Sequence, residues 1–328
     1  MRHTFSIIIP LYNCRFAVRQ LLHNLMNQTY KDFEVIFIDD CSKDETINEL
    51  KKYKDKISFE YNLLVNHENK GPGVSRNLCM EQATGQYVFF LDSDDSIDIT
   101  TLEKISKTII SNNFPDAVLF DYFMVFKDKK IRRNTVYNLK EGFVGKENAI
   151  IYSTGSTCCK VYNLDVLKDN NIYFPDMRTK EDFVFNKIAL SFCNKIFYCK
   201  EPLYNYIVNS SSIMNTTKLV GELTAKKAFD IIEKQIGKKY NNVISALKTK
   251  EYLFGVIQSM VRMKESNKEI NMFINAYEEQ NSEWYKDFGK YKFDLFTTII
   301  LKMAKKRMAL LITCAILLKD LLKNHLMR

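Results

Sequence analysis

The chain has 328 residues and a mass of 38.5 kDa, length enough for one large domain or two modest ones around a buried core. Hydrophobic residues make up 46% and charged residues 27%, a globular mix that excludes wholesale disorder, collagen-like repeats and a coiled-coil rod. The net charge of +9 is unevenly spread: residues 296–328 carry seven Lys and Arg against Asp320 alone, a local +6 that leaves +3 for the first 295 residues.

The first predicted element is a strand at Phe5–Pro10, whose apolar run Ile7–Ile9 is too short for a signal-peptide core. Further β-rich runs follow at Glu34–Ile38, Ile57–Leu64 and Tyr87–Leu91, separated by helical periodicity at Cys14–Asn27, Lys43–Tyr53 and Gly73–Ala83. Strand–helix alternation with nearly continuous apolar strands predicts an α/β fold, a mostly parallel sheet flanked by helices. Between 101 and 212 the pattern is mixed, with strands expected at Ala117–Phe126, Cys158–Tyr162 and Ile196–Cys199. Beyond a boundary near Asn215 only helical periodicity remains, at Leu219–Ile236 and Val243–Met263. The expected organisation is therefore 1–100, 101–215 and a C-terminal helical region at 216–328.

Eight cysteines form no CxxC pair and no Cys/His ligand spacing, so they read as reduced, buried apolar residues rather than zinc ligands or nucleophiles. The expected compartment is cytoplasmic.

Polar residues gather where the apolar strands stop, and in open α/β sheets the ligand crevice lies outside those carboxyl ends. Asp92-Ser93-Asp94-Asp95 follows the strand at Tyr87–Leu91. Asp and Ser also favour turns and helix caps. Three carboxylates converging at the end of a fully apolar strand, however, repel one another unless a cation offsets them. Mg²⁺ or Mn²⁺, shared between one or two carboxylates and substrate phosphates, meets that need. Asp39-Asp40 closes the second strand, where a carboxylate can accept from a base N–H or a ribose hydroxyl while Tyr12 offers a ring for stacking. Its plainer role is to cap the helix at 43–53, a task Ser42 or Asp44 can also fill. There is no GxGxxG after the first strand and no GxxxxGK[ST], which argues against the dinucleotide and P-loop cradles.

Five blocks, FSIIIPLYN, QTYKDFEVIFIDDCSKDET, NKGPGVSRN, GQYVFFLDSDD and KEDFVFN, occur in the order found in the family 2 inverting glycosyltransferases that use nucleotide sugars, and the chain resembles that family. The resemblance covers residues 4–100 continuously and 155–213 more loosely. It implies a GT-A fold with a Rossmann-like nucleotide-binding half, and a UDP-sugar as the partner. Pro10, Tyr12 and Asn13 would line the donor pocket, with Asp40 or Asp39 on the base, Arg76 close to it, Asp92 on the ribose and Ser93 beside it. Asp94 would hold the divalent metal, Mn or Mg, that bridges the donor phosphates. Gly71 and Gly73 would let the loop approach the nucleotide closely. Glu181 and Asp182 resemble the catalytic pair, with Asp182 as the base; an ordinary first-turn acid favoured by the helix dipole is the plainer alternative.

Two positions depart from the family pattern. Lys180 stands where many members carry Gly, and Ile207 stands where a basic residue often follows the second aromatic of Tyr204-Asn205-Tyr206. Lys160, Arg178 or Lys218 would then supply the missing cation.

The 11-residue apolar run Met308–Leu318 is preceded by Lys302, Lys305, Lys306 and Arg307 and is too short to span a bilayer. On one helical wheel Lys302, Lys305, Lys306, Lys319 and Lys323 share about half the circumference, with Leu311, Leu318 and Leu322 opposite. The tail 296–328 either covers the protein's own core or lies on anionic lipid at the inner face of the membrane. Beyond Phe296 it has no Phe, Tyr or Trp for stacking, which argues against nucleic acid. The acceptor expected of such an enzyme is a glycan or lipid-linked glycan. The alternatives are an inactive nucleotide-sugar-binding or scaffold protein and a nucleotidyltransferase, though PLYNCRFA is not the basic Gly-rich loop the latter needs.

Overall fold

Val-, Ile- and Phe-rich runs buried on both faces become the central strands of a parallel sheet because helices cover each side. In the computed structural model, which describes residues 2–208 and 222–326, these are β1 (Phe5–Leu11), β2 (Phe33–Asp39), β3 (Glu60–Val65) and β4 (Tyr87–Phe90). They pair in parallel in the order β3-β2-β1-β4 through α1 (Arg15–Met26), α2 (Thr46–Lys51) and α3 (Pro72–Gln82). The winding reverses between β1 and β4, and that switch point opens a crevice at the carboxyl ends of the strands. α2 starts at Thr46, three residues later than the pattern predicts, because Asp39 and Asp44 hold the amides of Ser42 and Thr46 in a turn.

Beyond α4 (Thr101–Ser111) the sheet becomes mixed. β5 (Ala117–Val125) lies beside β8 (Lys160–Asn163), which runs antiparallel between β4 and β5, and β9 (Ile196–Ile207) runs parallel to β5. β6 (Lys130–Arg133) folds back on the outer half of β5, and β7 (Gly142–Phe143) pairs with β9. β9 extends eight residues past the predicted end at Cys199. Pro202 falls at a register irregularity opposite Asp121, where the ladder can lose a donor without ending. α5 (Lys146–Tyr152), α6 (Leu164–Asp169) and α7 (Glu181–Phe192) complete this half. One face of the sheet packs Phe5, Ile7, Phe37, Phe89 and Phe120 into a single cluster. On the other face Phe90 meets Phe174 and Phe185 edge-on, and those two rings stack at 3.9 Å.

The chain divides into two units, Met1–Thr216 and Thr217–Arg328. In the second, α8 (Glu222–Lys248) passes through a π-turn at Thr249–Leu253 into α9 (Phe254–Arg262), followed by α10 (Asn267–Gln280), α11 (Trp284–Gly289), α12 (Leu295–Lys305) and α13 (Ala309–Leu326). Trp284 is fully buried against Tyr277, and Ser266 with Glu269 closes α10 with a capping box. The single wheel drawn for the tail is corrected here: Arg307, at φ 58°, breaks the helix between α12 and α13. Ala309, Ile312 and Ile316 face inward, while Leu310, Leu311, Leu317, Leu318, Leu321 and Leu322 are exposed. Among the described residues no helix is long and apolar enough to cross a membrane.

Candidate active site

The strand ends of the parallel half deliver the first carboxylates. Asp40, just past β2, accepts from the Asn66 amide at 2.9 Å and from the backbone N–H groups of Lys70 and Gly71, both at 2.8 Å. These bonds fold the 66–71 segment against the sheet and occupy Asp40. Asp39 is different. One oxygen accepts from the Ser42 N–H at 3.0 Å; the other, Oδ1, is buried with no partner among the described residues. An orphaned buried acceptor costs free energy until a donor reaches it. Pro10 and the half-exposed ring of Tyr12 lie at the end of the adjacent β1. Asn13, at φ 48°, uses its side chain and its N–H to tie that loop to Lys43 and Ser42.

Gly71 begins α3 at φ +84°, a conformation that costs other residues a steric penalty. Gly73 is required for a different reason than expected. A Cβ there would lie 2.9 Å from the Glu181 side chain, so its smallness lets α3 pack on the start of α7.

Arg76 projects from α3 and is buried. Its guanidinium donates to Asp92 at 2.6 Å and to Asp182 at 2.9 Å, with Glu181 at 3.9 Å. It thus joins the two carboxylate stations. Burial alone would depress its pKa, but Asp182 and Asp92 together carry it well above the ordinary arginine value. Burial and the neighbouring Asp182 push the Glu181 carboxyl up to about 7.

Asp182 opens α7 from Lys180, whose backbone is left-handed at φ 65°. That conformation accounts for the glycine common at this position. The second oxygen of Asp182 accepts from the Thr157 hydroxyl at 2.9 Å and N–H at 3.3 Å. A carboxylate offers about four acceptor positions, so room remains for one more donor. Two buried lysines hold the loop that carries Thr157. Lys160 donates to the carbonyls of Thr154 and Ser156, and Lys187 to that of Ser153 at 2.7 Å. Burial lowers the Lys160 pKa to about 8. Lys160 is fully engaged inside the protein, which removes it as the cation to replace the one absent at Ile207. Arg178, exposed and bonded to Asn69 beside Gly71, keeps that possibility, and Lys218 lies outside the described residues.

In the acidic loop Asp92 is partly exposed, Ser93 meets the Cys14 thiol and Asp94 is exposed. Asp95 is buried, accepting from the Tyr204 hydroxyl at 2.6 Å and the Ile207 N–H at 2.8 Å. Burial and the neighbouring Asp92 raise its carboxyl to about 8 against the pull of those bonds. Among the described residues no three His, Cys, Asp or Glu side chains gather to hold an ion by themselves. A hard ion carried by one carboxylate and the phosphates of a nucleotide needs no such cage, so the exposed Asp94 fits that use.

Sequence reasoning missed Asn66, Thr157, Lys187 and the pairing of Tyr204 with Asp95. Asn66 carried a readable signal, a polar residue at the end of an apolar strand. Thr157 and Lys187 act across 25 and 34 residues of chain and left none.

Residues 6–170 match the family described as Glycosyl transferase family 2. The poly(ribitol-phosphate) beta-N-acetylglucosaminyltransferase TarS of Staphylococcus aureus (strain MW2) is 33% identical over 205 residues, covering 62% of this chain and 35% of that protein. The match therefore spans about a third of that relative's length. The putative glycosyltransferase EpsH of Bacillus subtilis (strain 168) is 26% identical over 283 residues, 82% of this chain and 73% of its own. The crystal structure of S. aureus TarS 1–349 in complex with UDP-GlcNAc has the same fold, with a TM-score of 0.71 at 23% identity over 95% of this chain and 90% of that one.

Proposed function

Because this chain belongs to glycosyl transferase family 2, we propose that it is an inverting glycosyltransferase. It moves a hexose or N-acetylhexosamine from a UDP-sugar to a hydroxyl of a glycan or lipid-linked glycan, in surface polysaccharide or glycolipid synthesis. One observation carries this reading: a single buried guanidinium, Arg76, holds Asp92 at the end of β4 and Asp182 at the start of α7. A donor-side and an acceptor-side carboxylate are thereby set on either side of one point.

The uracil lies on Tyr12 beside Pro10, and its imide N–H reaches the orphaned Oδ1 of Asp39. Asp40 acts at one remove by shaping the Lys70–Gly71 segment. Asp92, with Ser93 beside it, takes the ribose. Asp94 would hold a divalent ion, Mn²⁺ or Mg²⁺, which when bound supplies positive charge to the leaving diphosphate. Asp182 accepts the proton of the acceptor hydroxyl as that oxygen bonds to the anomeric carbon. The bond from this carbon to the diphosphate breaks on the opposite face, and UDP departs with the electron pair. Glu181 supports Asp182 and Arg76 from the same turn.

The test is consumption and binding of UDP-, GDP- and dTDP-sugars with Mn²⁺ or Mg²⁺. UDP-sugar turnover that stops with EDTA is expected. No nucleotide sugar bound or consumed overturns the reading.

The enzyme works at the inner face of the cell membrane through 296–328. The exposed leucines of α13, near Lys302 and Lys306, support this contact. Flotation with phosphatidylglycerol vesicles should weaken in Leu317→Ser/Leu321→Ser, and equal flotation removes the membrane role.

A further inference from the structure

Tyr204 lies near the end of β9, its ring buried in the main core cluster and edge-on to Phe89. A buried phenol needs a partner for its hydroxyl. This hydroxyl makes two bonds, and both go to one turn. It donates to the Asp95 carboxylate at 2.6 Å and accepts from the Asp92 N–H at 3.3 Å. The Asp95 N–H closes the turn on the Asp92 carbonyl at 3.1 Å. One oxygen therefore spans the first and last residues of the turn. Ser93 and the exposed Asp94 lie between the two points it holds.

Other bonds from β9 fall further along the chain. The Ile207 N–H reaches the second Asp95 oxygen at 2.8 Å, and the Asn205 side chain reaches Asp98 at 3.0 Å. Ser96 and Asn205 exchange backbone bonds of 3.2 and 2.9 Å. These fasten 95–98 to the strand and do not involve 92–94. Arg76 holds Asp92 by its side chain, whereas Tyr204 holds it by its main chain.

A second tyrosine of the same strand supplies the comparison. Tyr198 is equally buried and donates to the Asp121 carboxylate, also at 2.6 Å. Asp121 further accepts from the Arg132 guanidinium at 2.9 Å and the Thr135 N–H at 3.0 Å, so a cation offsets its burial. Asp95 takes its bonds from a hydroxyl and an amide. A leucine facing a phenylalanine would fill that space without burying a carboxyl group. What the Tyr204–Asp95 pair adds is the hold on the Asp92 main chain.

We propose that Tyr204, braced by Asp95, is a positioning residue of the donor site, its hydroxyl holding Asp92–Asp94 in the shape that receives a divalent cation together with a nucleoside diphosphate. This rests on the glycosyltransferase reading. Removing a group that orients a metal-binding carboxylate costs roughly tenfold to a hundredfold in metal affinity. The Tyr204 ring keeps its place against Phe89 without the hydroxyl, so Tyr204→Phe removes the brace and leaves the packing.

The experiment measures UDP affinity of the full chain by calorimetry, in EDTA and at one fixed Mn²⁺ concentration. The ratio of the two affinities reads the contribution of the cation. Tyr204→Phe should lower that ratio roughly tenfold, and a higher Mn²⁺ concentration should restore donor hydrolysis to within about threefold of the parent. Tyr198→Phe loses the same kind of bond. It should lower the melting temperature by a similar few degrees and keep the parent's ratio. An unchanged ratio in Tyr204→Phe overturns the proposal, as does an equal fall in both variants, which makes the bond a general support of β9. A Tyr204→Phe chain that does not fold while Tyr198→Phe does also overturns it, because the fold itself then requires the hydroxyl. UDP bound by the parent equally with and without Mn²⁺ removes the cation from the proposal and overturns it, while UDP-sugar turnover would leave the transferase reading standing. A parent that binds no UDP overturns that reading itself.

Discussion

On the proposed donor side of the cleft, side chains arrive directly from the ends of parallel strands: Asp39 is the last residue of β2, and Asp92 follows β4 by two residues. On the proposed base side Asp182 does not come straight from a strand. Asp182 stands at the first turn of α7 and is held by Thr157, whose loop is pinned by two buried ammonium groups bonded to its carbonyl and hydroxyl oxygens. The first side is set by sheet register, the second by a polar network within the core. A register is robust to single substitutions. A network is not, because each missing donor leaves a buried acceptor unpaired.

That contrast can be broken most severely at the proposed base itself. Asp182→Asn should lower kcat by roughly 10²–10⁴ while UDP affinity, measured by calorimetry, stays within about twofold. Unchanged turnover would return Asp182 to the role of a first-turn acid. Lys160→Met/Lys187→Met should lower kcat on the order of tenfold to a hundredfold with donor KM unchanged, because the loop under Thr157 loosens. An equal rise in donor KM would show that the two sides are not independent. Asp39→Ala should weaken UDP binding roughly tenfold with little effect on kcat; full affinity would hand the base contact to Asp40.

The smallest effect concerns Glu181. Its carboxyl is raised from the ordinary 4.5 to about 7, so the folded state favours the protonated form. The stability from that proton is fully present below about pH 4.5 and is lost as pH rises through 7. Glu181→Gln stays neutral throughout. It should melt with the parent at pH 4.5 and higher than the parent at pH 8, by roughly 3–6 °C. Parallel melting curves at both pH values would show that this carboxyl carries no burial penalty.

Some of this was readable before the fold was seen. Asp39, Asp40, Asp92 and Asp94 stood out because polar residues interrupt strongly apolar runs, and in a parallel sheet strand ends converge. Which aspartate is available to a ligand was not readable. Asp39 and Asp40 are adjacent and chemically identical, and only the approach of Asn66, Lys70 and Gly71 engages one and leaves an oxygen of the other unmatched. Asp182 was indicated by the resemblance rather than by any local pattern, since an acid in a helix's first turn is ordinary. The positions of Arg76, Lys160 and Lys187 followed the same rule, as basic residues whose purpose depends on what they face.

Local chemistry thus determined the elements, the parallel half of the sheet and the carboxylate-bearing strand ends, because hydrophobic period and polar interruption act over a few residues. Tertiary structure alone decided the joining of Asp92 to Asp182 through Arg76, the pinned loop beneath Thr157 and the break at Arg307. Hydrogen bonds and ion pairs between residues distant in the chain depend on how the sheet brings those segments together.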